Sequence, residues 1–293
     1  MIQAGATHVG SHFRACREVD PIIDFATPST GILLVGHGTR DARGTDQFFQ
    51  LAETLAQRAF PSPVQGCLLE FQQPDIPTGW RLLIEKGVKR VCVSPLLLFA
   101  AGHARSDVPE LIARCSVEYP AVEHWQAGPL SRAAEIVSVL QSRIEHTCEQ
   151  TQHVRDASTA VVLVGRGSYH PCATSDMKLL AAIVSHRLGL SSTHAAVAFY
   201  AMAEPKLPEV LDRVATRADI STVIVQPHLL FKGRLFDAIH RQVDEARERH
   251  PTVRFITGDY LGPCEAVADA VIRRVRLGQR PQGEQRPMLS PNG

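Results

Sequence analysis

The chain has 293 residues, 44% hydrophobic and 21% charged, a globular composition that argues against wholesale disorder and leaves room for two domains. Lys plus Arg total 31 against 30 for Asp plus Glu, a net charge of +1, and without a basic excess no nucleic-acid partner is expected. The longest apolar runs, such as residues 96–101, fall far short of the roughly 20 residues of a membrane span, so no membrane partner is expected either.

Residues 1–30 carry His, Arg, Glu and Asp without an apolar signal core, which speaks against export and leaves this leader without an assigned role. In the first half, short apolar runs occur at 31–35, 64–71, 89–94 and near 122–126, each bounded by Gly, Pro or charge. Between them lie helical patterns. In 47–59, Phe48, Leu51, Ala52, Leu55, Ala56 and Ala59 recur at spacings of three and four, one apolar stripe on a helix. Segments 76–86, 106–115 and 131–148 show weaker versions of the same period. Residues 151–158 are polar and read as a linker. The second half repeats the order, with strands expected near 160–164, 194–200, 221–226 and 253–257. From Gly278 onward the Pro, Gly, Gln and Arg content predicts a mobile tail.

The seven cysteines, at 16, 67, 92, 115, 148, 172 and 264, include no C-x-x-C pair. They read as reduced structural thiols, which places the chain in the cytoplasm.

The halves are copies of one plan. Gly31-Ile32-Leu33-Leu34-Val35-Gly36-His37-Gly38 is echoed by Ala160-Val161-Val162-Leu163-Val164-Gly165-Arg166-Gly167. Leu68–Pro74 is echoed by Phe199–Pro205, Ser94–Phe99 by Gln226–Phe231, and Gly128-Pro129 by Gly262-Pro263. Four landmarks in one order, each displaced by roughly 130 residues, indicate a tandem duplication. Near-continuous Val/Ile/Leu strands alternating with helices predict parallel sheets covered on both faces. The expected fold is α/β, two tandem-duplicated doubly wound domains at 31–150 and 160–276, with a leader at 1–30 and a tail at 277–293.

Ligands of open α/β sheets sit beyond the carboxyl ends of the strands, and the polar residues of interest lie there. His37, between two glycines, follows the first strand; it reads either as an exposed functional imidazole or as incidental to a phosphate-binding turn. His103 follows the third strand, and its loop meets that of His37 if strands one and three are neighbours. Glu70 closes the second apolar run, either as a working carboxylate or as the strand's exit to solvent. Two imidazoles and a carboxylate would form an open site suited to Fe, Co, Ni or Zn. In the second half Arg166, Ala201 and Arg234 stand in the corresponding places. Arginine grips carboxylates rather than metals, so this half reads either as an anion holder or as a scaffold. Among the remaining histidines, only His228, after Pro227 at a strand end, invites a test.

With these residues assembled, the chain resembles the long, two-domain sirohydrochlorin cobalto- and ferrochelatases among the class II tetrapyrrole chelatases. The likeness is carried by LLVGHGTRDARG (33–44), CLLEFQQPDIPTG (67–79), VSPLLLFAAGHARSDVPELI (93–112), LVGRGSYHP (163–171), MAEPKLPEVL (202–211) and VQPHLLFKGRLFDAI (225–239). It implies insertion of cobalt or iron into sirohydrochlorin in cobalamin or siroheme biosynthesis, with no cofactor beyond the divalent metal substrate. His37, Glu70 and His103 are implied to handle the metal, with His37 and His103 also removing protons. Arg40, Arg43, Arg105, Arg166 and Arg234 are then expected partners for the carboxylates of the tetrapyrrole. One departure is Gln73, where an acidic residue often precedes the proline. The competing readings are a non-catalytic metal or tetrapyrrole carrier and a phosphate-binding α/β protein; the latter is weakened by the lack of a Walker lysine.

Overall fold

In the computed structural model, which describes residues 27–99, 106–131 and 133–278, each half alternates strand and helix as its sequence period requires. The first runs β1 (Thr30–Gly36), α1 (Ala42–Ala59), β2 (Val64–Leu68), α2 (Ile76–Glu85), β3 (Arg90–Pro95), α3 (Asp107–Glu118), β4 (Glu123–Gln126) and α4 (Ala134–Gln150). The second runs β5 (Thr159–Gly165), α5 (Pro171–Arg187), a short 3-10 turn (Ser192–His194), β6 (Ala195–Phe199), α6 (Leu207–Ala215), β7 (Thr222–Pro227), α7 (Arg234–Arg249), β8 (Arg254–Thr257) and α8 (Glu265–Gly278).

The strands form two four-stranded parallel sheets of identical order, β2-β1-β3-β4 and β6-β5-β7-β8. β1 and β3 are neighbours, with Val35 paired to Pro95 at the carboxyl edge. The chain order reverses around β1 and β3, and this is where a doubly wound sheet opens a crevice. β1 and β5 are buried along their whole length, hence their unbroken apolar sequences.

Each sheet has two differently used faces. Leu33, Val35 and Val93 pack under α2 and α3 with Trp80, Leu83 and Ile112, while Val162, Val164 and Val225 pack under α6 and α7. The opposite faces share one core that runs through both halves, joining Ile32, Leu34, Leu51, Leu140, Leu163, Leu180, Ile224 and Val271. Within it the last helix of each half lies across the other half. α4 packs on β7 and α5, whereas α8 packs on α1, β3 and β4. Arg143 donates to the Leu261 carbonyl at 3.0 Å and Arg274 to the Leu130 carbonyl at 3.0 Å. Arg58 holds Asp269 at 2.6 Å and Glu265 at 3.0 Å. The repeat visible in sequence and the unit of packing therefore differ by one helix. Exchanged helices bury apolar stripes against a foreign sheet, and this couples the halves.

Two helices of the first half start from side-chain caps. Asp41 accepts the Arg43 N–H at 3.1 Å and begins α1 at Ala42, five residues before its apolar stripe becomes regular. Asp75 accepts the Thr78 N–H at 2.9 Å and begins α2. Capping satisfies amide groups that no helical carbonyl can reach. The six cysteines among the described residues are free thiols, and burial pushes Cys67 and Cys92 well above the ordinary thiol range. Cys16, most of the leader and the tail beyond Gly278 lie outside the described residues.

Candidate functional site

The site begins with the two glycines around His37. A Cβ on Gly36 would come within 2.7–2.9 Å of the Phe48 ring and the Leu68 side chain. Gly38 has φ +90, and a Cβ there would overlap the Glu70 carbonyl oxygen. One glycine is required by packing and the other by backbone conformation. Together they bring the β1–α1 turn against the β2–α2 loop, leaving His37 partly buried between them.

That contact is hydrogen-bonded. Leu69 N–H donates to the Gly36 carbonyl at 2.9 Å and Glu70 N–H to the His37 carbonyl at 3.1 Å. β2 ends at Leu68, so Glu70 lies two residues beyond the strand, on an exposed loop rather than at the end of a strand reaching residue 71. The chain reverses immediately afterwards, because Gln72 N–H closes a three-residue turn onto the Glu70 carbonyl at 3.0 Å, with Phe71 at φ 73. A non-glycine residue in this region is strained. The second half repeats the device, with Ala203 N–H on the Ala201 carbonyl and Met202 at φ 56. Phe71 is 52% exposed, and the Arg40 guanidinium lies 5.0 Å from its ring centroid, a cation–π arrangement that sets Arg40 beside the Glu70 loop. Gln73 accepts the Asp75 N–H at 3.0 Å, so it steadies the capping turn of α2.

The arginines differ in their commitments. Arg43 bonds Asp41 at 2.7 Å and Asp237 of the second half at 2.8 Å, and these two carboxylates raise its pKa further. Arg43 in turn holds the Asp41 carboxyl below the usual range, with a lesser contribution from Arg234. Arg234 opens α7 and faces solvent near this pair, and Arg166 is exposed on the equivalent turn of the second half. The β7–α7 loop abuts α1: Lys232 N–H donates to Gln47 Oε1 at 2.7 Å, and Gln47 Nε2 donates to the Tyr260 hydroxyl at 2.7 Å. The carboxyl edges of both sheets thus meet around the turn that carries His37.

His103 and Arg105 lie outside the described residues, on the segment that leaves β3 through Leu96–Phe99. Among the described residues no three His, Cys, Asp or Glu side chains group as a metal site; His37 and Glu70 are the two members of the expected set that the fold brings together. A cavity of about 680 Å³ lies at the opposite, amino end of the second sheet, lined in part by Cys148, His153, Leu190 and His194. None of the residues selected from sequence borders it.

Comparison with known proteins matches the family model described as CbiX twice, over residues 31–147 and 160–277. The chain belongs to the CbiX family. It is 30% identical over 275 residues to a sirohydrochlorin ferrochelatase of Priestia megaterium, covering 94% of this chain and 97% of that protein. It is 27% identical to a sirohydrochlorin cobaltochelatase of the same organism, covering 79% and 74%. Among solved structures it resembles SirB from Bacillus subtilis with Fe3+, at 28% identity and a TM-score of 0.75, covering 85% of this chain and 94% of that one. A cobalt complex of SirB from Bacillus subtilis subspecies spizizenii matches with a TM-score of 0.70 over the same shares.

Within this CbiX chain the two halves keep one backbone and diverge in side chains. Tyr200 and Ala201 N–H groups reach the Gly165 and Arg166 carbonyls at 2.9 Å each, as Leu69 and Glu70 reach Gly36 and His37. Two residues of interest show features that the sequence does not carry. Asp237 carried no local signal, since its bond to Arg43 spans the halves. His228 was singled out by its place after Pro227, but nothing in the sequence indicated that it is 3% exposed.

Proposed function

We propose that this chain inserts a divalent metal ion, cobalt or iron, into sirohydrochlorin and releases two protons. One observation carries the reading: in a chain whose halves both match CbiX, His37 and Glu70 stand side by side at the carboxyl edge of the first sheet, joined through the backbone. Insertion requires that the ion shed water, that two pyrrole N–H groups lose protons, and that the ring distort so that a nitrogen lone pair meets the metal. His37 and His103 face the incoming ion and take part in removing protons, and Glu70 is the co-ligand or proton relay. Neutral imidazoles with one carboxylate are borderline donors that accept either metal.

The tetrapyrrole is held through its peripheral carboxylates. Arg40, Arg166 and Arg234 are exposed cations, Arg105 is assigned the same role from its place in the sequence, and Arg43 joins them through whatever hydrogen-bonding capacity Asp41 and Asp237 leave. No cofactor beyond the metal substrate is required. The reaction is cytoplasmic, a reading supported by the free thiols of the described cysteines.

The test is the purified full chain with sirohydrochlorin and Co²⁺, Fe²⁺ or Ni²⁺ in turn, followed by the macrocycle's absorbance. Catalytic turnover with cobalt or iron in excess is the expected result. Stoichiometric binding with release of unchanged ligands, with every metal, would make the chain a carrier and overturn the proposal.

A further inference from the structure

The duplicated fold contains its own control for His228. His228 N–H donates to the Val164 carbonyl at 2.7 Å, and in the first half Leu96 N–H donates to the Val35 carbonyl at 2.8 Å. The two residues are the first after β7 and β3 and occupy the same place; both are buried, Leu96 in the core that joins the halves and His228 against Phe99, which packs on that core. Leucine meets everything the fold asks of that place in one half. The other half installs an imidazole that is 3% exposed and whose Nδ1 and Nε2 have no hydrogen-bond partner among the described residues.

An unpartnered buried polar group is destabilising relative to an apolar side chain of similar size. Burial pushes this imidazole down to about 3, so it is neutral at ordinary pH and presents one donor and one acceptor nitrogen. Its surroundings belong to the site. The ring lies 5.2 Å from that of Phe99, which comes from the other half on the segment leading to His103. The loop that His228 opens abuts the first turns of α1 through Lys232 and Gln47.

We propose that His228 is a substrate-contacting residue supplied by the second half, its ring nitrogens hydrogen-bonding the tetrapyrrole once the macrocycle displaces Phe99. The inference rests on the chelatase reading for the identity of the ligand. A flat pigment with inner N–H donors and peripheral carboxylate acceptors offers complements to both nitrogens. The protein keeps an unsatisfied group for a partner that arrives only with substrate, a common origin of local rules broken at functional sites.

The decisive variant is His228→Leu, which copies the first half, with His228→Gln as the polar comparison. Three quantities are read on the purified full chain: Tm without ligand, affinity for metal-free sirohydrochlorin by spectroscopic titration, and KM for the metal. His228→Leu should raise Tm by about 2–4 °C and weaken tetrapyrrole binding about tenfold, the loss of one hydrogen-bonding partner, with the metal KM unchanged. His228→Gln should recover part of the affinity. Unchanged tetrapyrrole affinity in His228→Leu overturns the proposal whatever its Tm, and so does a lower Tm, which would mean that the imidazole already has a partner. Metal insertion by the wild-type chain is measured separately, so failure of the chelatase reading shows there and not in the variants' binding.

Discussion

The amide of Glu70 donates to the carbonyl of His37 at 3.1 Å, so the main chain itself ties the two residues together. Their side chains can therefore be exchanged without losing the join. Nature has made the exchange within this molecule, because Arg166 and Ala201 carry the same bond at 2.9 Å. His37→Ala and Glu70→Ala should thus fold with wild-type Tm, while metal insertion falls by about 10²–10⁴-fold, the usual worth of a proton-transfer group. Thermal melts and absorbance-monitored turnover on the same samples check this. Normal turnover in a folded His37→Ala protein would remove His37 from the chemistry.

Gly38 extends the argument from side chains to backbone. At φ +90 an alanine is strained by about 1–2 kcal/mol, and its Cβ would also overlap the Glu70 carbonyl. Gly38→Ala should lower stability by at least that amount and move the Glu70 loop, so kcat drops with Tm. Gly167 has φ +91 and would overlap the Ala201 carbonyl in the same way. Gly167→Ala should cost comparable stability yet leave kcat near wild type, since the strained loop then lacks the carboxylate. Equal kcat losses in the two variants would show that the effect is global.

How much of this was legible beforehand varies by element. β1 and β5 announced themselves, since seven-residue runs such as Thr30–Gly36 buried from end to end have no other use for unbroken apolar sequence. Strand order was legible only as a possibility, and the pairing of Val35 with Pro95 realises it. The helix exchange was not legible. Ile136, Leu140 and Ile144 state that α4 must be buried, and an apolar stripe carries no information about which sheet covers it. Apolar Leu69 extends the second run beyond the true end of β2 at Leu68, whereas hydrogen bonds to the neighbouring turn and the reversal at Phe71 decide where the chain leaves the sheet. Of the candidate site, the turn around His37 was legible from its glycines, and the fold brings the Glu70 loop against it. The bond of Arg43 to Asp237 was not, because 194 residues separate the partners.

The exchanged helices make a further expectation specific. Arg58 on α1 grips Asp269 through two nitrogens, at 2.6 and 2.8 Å, and reaches Glu265 at 3.0 Å, both acids lying on α8. These groups are substantially exposed, and exposed ion pairs weaken as salt screens them. Arg58→Ala should lower Tm slightly in dilute buffer, and the difference from wild type should shrink in high salt. A loss independent of ionic strength would instead assign the contribution to the packed aliphatic stem of the side chain.

Asp75 links acid stability to the Glu70 loop. Hydrogen bonds from Thr78 are the leading reason its carboxyl titrates below the ordinary value of 3.8. A carboxyl depressed on folding stabilises the native state fully above its unfolded value, and that contribution is lost as pH falls through the lower, folded value. The cap therefore weakens below about pH 4 and is constant above about pH 5. Asp75→Ala should cost about 1 kcal/mol at neutral pH, as for other lost caps. Asn caps nearly as well without titrating, so Asp75→Asn should retain most of the stability and flatten its fall between pH 5 and 2. Urea midpoints across that range test the sign, and a wild-type curve no steeper than that of Asp75→Asn would contradict it. Asp75 also bridges to Leu68 at the far end of the segment that begins at Glu70, where Leu68 N–H donates to the neighbouring Pro74 carbonyl at 2.8 Å. Asp75→Ala should for that reason reduce insertion activity more than its modest loss of stability alone would predict.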